Sequence, residues 1–228
     1  MKAINITTFF LSLFFLKSIC YSQKTVKIGN QEWTVKNLNV EKFRNGDPIP
    51  EARNASEWKT ASNNKLPAWC YYNYNSKNGK VYGKLYNWYA VNDTRGLAPK
   101  GFIIPHNSNW ETLINYLGKI GTASTLSSKK EWKSLKGNNK SGFSALPGGY
   151  VTESGSHDAL RYNGYWWSAD EFTQANDQDV EVESDGDEEL LHGSCYYIQE
   201  EENMILNSSK FKAMGFSVRC IKKGSSDN

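Results

Sequence analysis

The residues best placed by type to do chemistry fall in four places. The first is the stretch Gly142–Tyr150, GFSALPGGY. A serine-nucleophile turn, G-x-S-x-G, needs a glycine two residues after Ser144, and Leu146 stands there. A phosphate loop needs G-x-x-x-x-G-K-[ST] and a helix behind it, and neither follows Gly148 and Gly149. The stretch therefore reads as a strand with Phe143, Ala145 and Tyr150 turned inward, closed by a Pro-Gly-Gly turn. The second place is VTESGSHD, where Ser154, Ser156, His157 and Asp158 are sequence neighbours. A catalytic triad draws its members from separate segments around a buried acid, so these neighbours read as a polar turn. His106 and His192 are isolated.

The third place, DQDVEVESDGDEELLH (177–192), carries eight carboxylates. Calcium takes oxygen ligands of this kind, and Asp179, Glu181, Glu183, Asp185 and Asp187 are the candidate set. An EF-hand register puts His192 where the closing glutamate belongs, so the choice lies between a different calcium site and a solvated acidic loop. The fourth place is the cysteines. Neither C-x-x-C nor H-E-x-x-H occurs, which leaves zinc without support. Asn54, Asn92 and Asn207 begin glycosylation sequons by pattern alone.

The elements that would position these residues follow from periodicity. Residues 1–22, MKAINITTFFLSLFFLKSICYS, have a basic start, an apolar run and small residues before Gln23. They read as a secretory signal peptide, with lipidation at Cys20 the weaker alternative. Leaving out Lys2 and Lys17 lowers the net charge from +3 to +1. Such near-neutrality argues against nucleic-acid binding, and no later run is apolar enough to span a bilayer. Export implies an oxidising compartment in which Cys70, Cys195 and Cys220 could pair. VKIGNQEWTVKNLNV (26–40) signals a hairpin around Gly29–Asn30, and 43–69 reads as a long surface loop. Leu85, Trp88 and Tyr89 form a helical stripe over 83–92. A second helix over 108–118 would be capped by Ser108 and Glu111 and bury Trp110, Leu113, Ile114 and Leu117. Residues 122–141 read as an exposed excursion anchored by Trp132. Strands follow at 143–151, 164–170, 194–199 and 215–222. The fold class is α+β: an N-terminal hairpin, two helices, then a strand-rich C-terminal half.

Several phrases stand in one order: IGNQEWTVKNLNV, FRNGDPIP, AWCYYNYN, YGKLYNWYAVND, LAPKGFIIP, GFSALPGGY, GYWWSADE and GFSVRC. Over 24–222 the chain resembles the Fibrobacter succinogenes major paralogous domain, a family of exported bacterial proteins. The resemblance implies one domain over 23–223, a C-type-lectin-like layout related to the formylglycine-generating enzyme, and a disordered tail over 224–228. It also implies that GFSVRCIK returns to the N-terminal hairpin. Cys70 and Cys220 stand where the family often has cysteine, so the resemblance implies a Cys70–Cys220 disulfide with Cys195 free. Where the family commonly has Gly-Trp-His-Val-Pro, this chain has Gly101-Phe102-Ile103-Ile104-Pro105, without the histidine.

None of the calcium-ligating triplets of sugar-binding lectins appears, nor a convincing active-site cysteine pair. The expected function is a secreted or cell-surface binding module without catalysis, its partner a glycan or an extracellular or cell-envelope protein. Trp58, Trp132, Tyr162 and Tyr165 are the candidate stacking rings, whereas Trp88, Trp110, Trp166 and Trp167 are expected in the core. A diverged enzyme and a structural envelope or matrix component are the alternatives.

Overall fold

The computed structural model describes residues 23–118, 121–172, 191–199 and 203–224. The signal peptide read at 1–22 lies outside the described residues, as do residues 225–228 of the tail. Strands β1 (Thr25–Ile28) and β2 (Gln31–Thr34) form the expected hairpin, with Ile28 opposite Gln31 across the two-residue turn. Gly29 takes a φ of +61° there, the left-handed backbone such a turn demands.

The long loop read at 43–69 contains a helix, α1 (Ala55–Asn63). Its start is a reciprocal cap in which Asn54 Oδ1 accepts from the Glu57 N–H at 2.9 Å and Asn54 Nδ2 donates to Glu57 Oε1 at 2.8 Å. Trp58 drives its inner face wholly out of solvent. Strand β3 (Trp69–Cys70), a 3-10 turn at Tyr72–Tyr74 and helix α2 (Ser76–Tyr82) follow.

The helix expected over 83–92 is a strand, β4 (Leu85–Asn87), and one helical turn, α3 (Trp88–Val91). Asn87 is the divider: its Oδ1 accepts from the Ala90 N–H at 3.1 Å and its Nδ2 donates to the Leu66 carbonyl at 2.7 Å. Leu85 and Trp88 are both buried, but in different core clusters, so their spacing mimics a helical stripe without forming one.

After β5 (Phe102–Ile103) comes α4 (Asn107–Leu117), one residue earlier than its expected start. Ser108 and Glu111 do not cap it. Asn109 Oδ1 accepts from the His106 N–H at 2.9 Å, and the remote Asp170 accepts from the Asn107 N–H at 2.6 Å. The same carboxylate lies 2.5 Å from His106 Nδ1, placing negative charge at the positive end of the helix. Trp110 and Leu113 are fully buried, as expected. The short α5 (Thr122–Leu126) then leads to β6 (Gly148–Val151), β7 (His157–Leu160) and β8 (Gly164–Glu171). The chain ends through β9 (His192–Ile198), β10 (Leu206–Phe211), β11 (Gly215–Phe216) and β12 (Ile221–Lys222).

Two open sheets result. The smaller has the order β1-β2-β12-β5, with Ile221 opposite Trp33, so the last strand does return to the hairpin. The larger runs β10-β9-β8-β6-β11-β4-β3, with β7 beside β6. The architecture is therefore α+β and dominated by sheet. Among the described residues no helix is long and apolar enough to cross a membrane.

Trp33, Trp110, Phe143, Trp166 and Tyr196 fill the core between the sheets, with Trp110 stacked on Tyr196 at 5.1 Å. Within this apolar surround lies a polar knot. Asn37 donates to the Tyr82 carbonyl (2.8 Å) and Ser217 Oγ (3.0 Å), and its Oδ1 accepts from Trp166 Nε1 (3.0 Å) and Arg219 Nε (2.8 Å). Its four hydrogen-bonding sites are thereby filled. Arg219, fully buried, also donates to the carbonyls of Thr34 (2.6 Å), Phe143 (2.8 Å) and Ser144 (2.9 Å). Burial pulls its pKa down to about 9, which leaves it a cation at neutral pH. GFSALPGGY thus supplies backbone acceptors to a buried arginine. Phe143 and Ala145 are buried as expected, Tyr150 is half-buried, and the strand itself begins only at Gly148. Ser144, at φ +57°, sits outside strand geometry while its carbonyl meets the guanidinium.

Candidate functional site

The nearest approach to a nucleophile and base is Cys70 with His157, the thiol 3.7 Å from Nε2. The expected polar turn thus carries a histidine that turns inward, between the edges of Tyr72 and Tyr74. Burial pulls the His157 imidazole down to about 4 and pushes the Cys70 thiol well up. Both shifts favour the neutral forms, and Cys70 has no exposed surface. Nucleophilic catalysis needs an accessible thiolate, so this pair packs rather than reacts. Behind 143–150 and 164–170 lies the aromatic core.

The structure also corrects the disulfide. Cys70, Cys195 and Cys220 are all free thiols. Side chains alternate across a strand: Trp69 of β3 joins the core cluster that contains Cys220, while Cys70 faces the opposite cluster with Trp58 and Val151. A pleat therefore separates the two sulfurs. Burial pushes the thiols of Cys195 and Cys220 up to about 12.

Of the four candidate stacking rings, three are buried: Trp58 at 0%, Trp132 at 7% and Tyr165 at 8% exposure. Trp58 locks α1 to the body. Tyr165 stacks on Tyr197 and Phe216. Trp132 donates its indole N–H to the Ala145 carbonyl at 3.1 Å and so anchors the excursion, as expected. Only Tyr162, at 41%, presents its ring to solvent.

Tyr162 lies on a built surface. Lys133 Nζ donates to its hydroxyl and stands 4.5 Å from its ring centroid, at the hydroxyl end of the ring. The Lys133 N–H donates to the Arg161 carbonyl at 2.9 Å, and Arg161 Nε donates to the Glu131 carbonyl at 3.2 Å. The excursion and the turn after β7 are thus stitched together in both directions. Glu131, Ala159 and Arg161 hold φ values of +79°, +60° and +71°, a costly backbone for non-glycine residues that the surrounding hydrogen bonds enforce. Beneath them the Tyr82 hydroxyl donates to Glu131 Oε2 at 3.1 Å, and burial together with that carboxylate pushes the Tyr82 phenol up to about 12. The chemistry on offer is non-covalent: a flat ring, flanking cations and a rigid base.

Two shallow clefts flank α1. One, of about 290 Å³, is lined by Pro50, Ala52, Leu66 and Pro67, and the other, of about 240 Å³, by Asn63, Lys65, Tyr89 and Phe211. The proposed calcium ligands Asp179, Glu181, Glu183, Asp185 and Asp187 lie outside the described residues. Among the described residues no three His, Cys, Asp or Glu side chains converge to hold a metal ion.

An α+β domain of two open sheets, cored by aromatics around a buried arginine, is the class this geometry defines. The family description "Fibrobacter succinogenes major domain" matches residues 26–222, and the chain belongs to that family. No curated protein and no solved structure matches it.

Proposed function

We propose that the protein is an exported binding module without catalysis of its own, which holds a glycan or an extracellular or cell-envelope protein on the face around Tyr162. The observation that carries this reading is the exposed Tyr162 ring, fixed by Lys133 over a strained, hydrogen-bonded base. A ring held rigid loses little conformational freedom on stacking against a ligand. The sealed thiols weigh against a diverged enzyme, since Cys70, Cys195 and Cys220, the cysteines among the described residues, are all buried. Export follows from the apolar segment at 1–22.

The test is a glycan array and an envelope-extract pull-down, run with the chain from Gln23 onward and with its Tyr162→Ala variant. Saturable binding that weakens about tenfold or more in the variant is expected; base and aromatic stacking contacts of this kind are worth a comparable factor elsewhere. Binding that ignores the substitution, or no saturable binding to any glycan or envelope fraction, overturns the reading.

A further inference from the structure

We infer that the Tyr162 face takes an acidic polysaccharide, a polymer carrying carboxylate or sulfate groups; this rests on the binding reading above and names the ligand class. Residues 127–142, SSKKEWKSLKGNNKSG, hold five lysines and a single carboxylate, Glu131. Lys129, Lys130, Lys133, Lys136 and Lys140 are all exposed, and so is Arg161 beside them.

The fold gathers these cations onto one lobe. A Cβ on Gly137 would come within 2.3 Å of the Ser128 carbonyl oxygen and 2.6 Å of that of Ser127. Gly137 therefore packs directly on that backbone and brings Lys136 back toward Lys129 and Lys130. The Ser128 N–H donates to the Ala145 carbonyl at 2.9 Å and the Asn138 N–H to that of Ser124 at 2.8 Å, which seats both ends of the loop. Lys133 and Arg161 extend the patch to Tyr162 through the contacts already described.

The patch is also uncompensated. Among the described residues, Lys129, Lys130, Lys136 and Lys140 make no ion pair. Glu131 turns its carboxylate to the Tyr82 hydroxyl, and Asp158, on β7, lies 3.5 Å from the Tyr150 hydroxyl. Clustered like charges on a rigid support attract a polyanion and release its counterions on binding. Tyr162, with Lys133 at its ring, adds a platform for the apolar face of a pyranose whose acid group meets a neighbouring lysine. A duplex nucleic acid suits the patch less well, because its bases are stacked within the helix and offer the Tyr162 ring no face to stack on.

The experiment uses the chain from Gln23 onward in affinity electrophoresis and calorimetry against polygalacturonate, dextran sulfate, neutral dextran and a random-sequence DNA duplex. Three proteins are compared: the natural sequence, Lys129→Glu/Lys130→Glu/Lys136→Glu, and Tyr162→Ala. The expected result is binding to either acidic glycan that falls steeply between 50 and 200 mM salt, roughly as a multi-contact polyanion does. The triple charge reversal should abolish it, and Tyr162→Ala should weaken it about tenfold. These exposed substitutions leave the core untouched, and an unchanged unfolding midpoint verifies that. Acidic-glycan binding indifferent to charge reversal overturns the inference, as does DNA binding as tight as glycan binding, or no acidic-glycan binding at 50 mM salt. A neutral glycan bound through Tyr162 alone would overturn the acidic ligand while sparing the binding module. Failure of every glycan and envelope fraction removes both.

Discussion

Asn37→Ala is the sharpest probe of how this fold is held. The substitution removes four hydrogen bonds of 2.8–3.0 Å at a residue only 6% exposed. Two of the partners are donors with nowhere else to turn: the indole N–H of Trp166 and the Nε–H of Arg219, both fully buried. An orphaned buried donor costs about 1–3 kcal/mol, more when charged. Ser217 Oγ can rotate, and the Tyr82 carbonyl is an acceptor whose loss is tolerated better. The expected cost is about 4 kcal/mol, a large share of the ~5–15 kcal/mol that holds a domain together. For a chain of this size that lowers the unfolding midpoint by roughly 8–16 °C. Arg219→Met removes both the cation and its desolvation cost while keeping volume, so it should cost less, about 1–3 kcal/mol. Near-UV circular dichroism reports the unfolding, because Trp33, Trp110 and Trp166 surround the knot. An Asn37→Ala loss below about 1 kcal/mol, or a larger loss for Arg219→Met, would refute the reasoning.

Three further expectations concern protons and thiols. His157, neutral in the fold with its pKa drawn down to about 4 from 6.5, contributes stability that is complete above pH 6.5 and lost as pH falls toward 4. The loss is up to about 2 kcal/mol once partial solvent screening is allowed, and His157→Gln should flatten this acid limb in urea titrations taken from pH 7 to 4. At the alkaline end Cys195 and Cys220 keep their protons to about 12 instead of 9. Stability therefore falls from pH 9 upward by about 1.4 kcal/mol per pH unit for each such thiol, partly opposed by Arg219, which loses its proton earlier folded than unfolded. Because Cys70, Cys195 and Cys220 are buried and free, the chain from Gln23 onward should show three thiols to a disulfide reagent in denaturant and almost none when native. Finding one thiol in denaturant would restore a disulfide.

What the sequence made legible is what is local or periodic. The hairpin rests on Gly29–Asn30 and α4 on the spacing of Trp110 and Leu113; Phe143 and Ala145 are buried as strand alternation suggests, although the strand itself begins only at Gly148. The cap of α1 was present too, as Asn54 and Glu57 three residues apart, but its polar neighbourhood reads as loop. What was not legible depends on distance in space. Asp170 caps α4 from 63 residues away. Arg219 is satisfied by carbonyls of Thr34, Phe143 and Ser144, and a carbonyl has no side-chain signature. Leu85 and Trp88 meet the helical period while serving different core clusters. Composition cannot tell an anchoring ring from a presenting one, so Trp58, Trp132, Tyr162 and Tyr165 looked equivalent. The lysines of 129–140 were visible, but as an exposed excursion; only the packing of Gly137 and the contact with Tyr162 make them a surface.

IGNQEWTVKNLNV supplies Thr34 and Asn37, GFSALPGGY supplies two carbonyls, GYWWSADE supplies Trp166, and GFSVRC supplies Ser217 and Arg219. All meet in the one buried knot. These phrases therefore encode a way of closing the two sheets on each other. Lys129, Lys130, Lys133, Lys136 and Tyr162 stand outside every one of them, on segments tied to the body by Trp132 and by backbone hydrogen bonds. Side chains on such a surface can change without disturbing the knot, because independent sites contribute additively. Family membership accordingly speaks to the scaffold, whereas the acidic glycan proposed above would be read by the charges and the ring that the scaffold holds out to solvent.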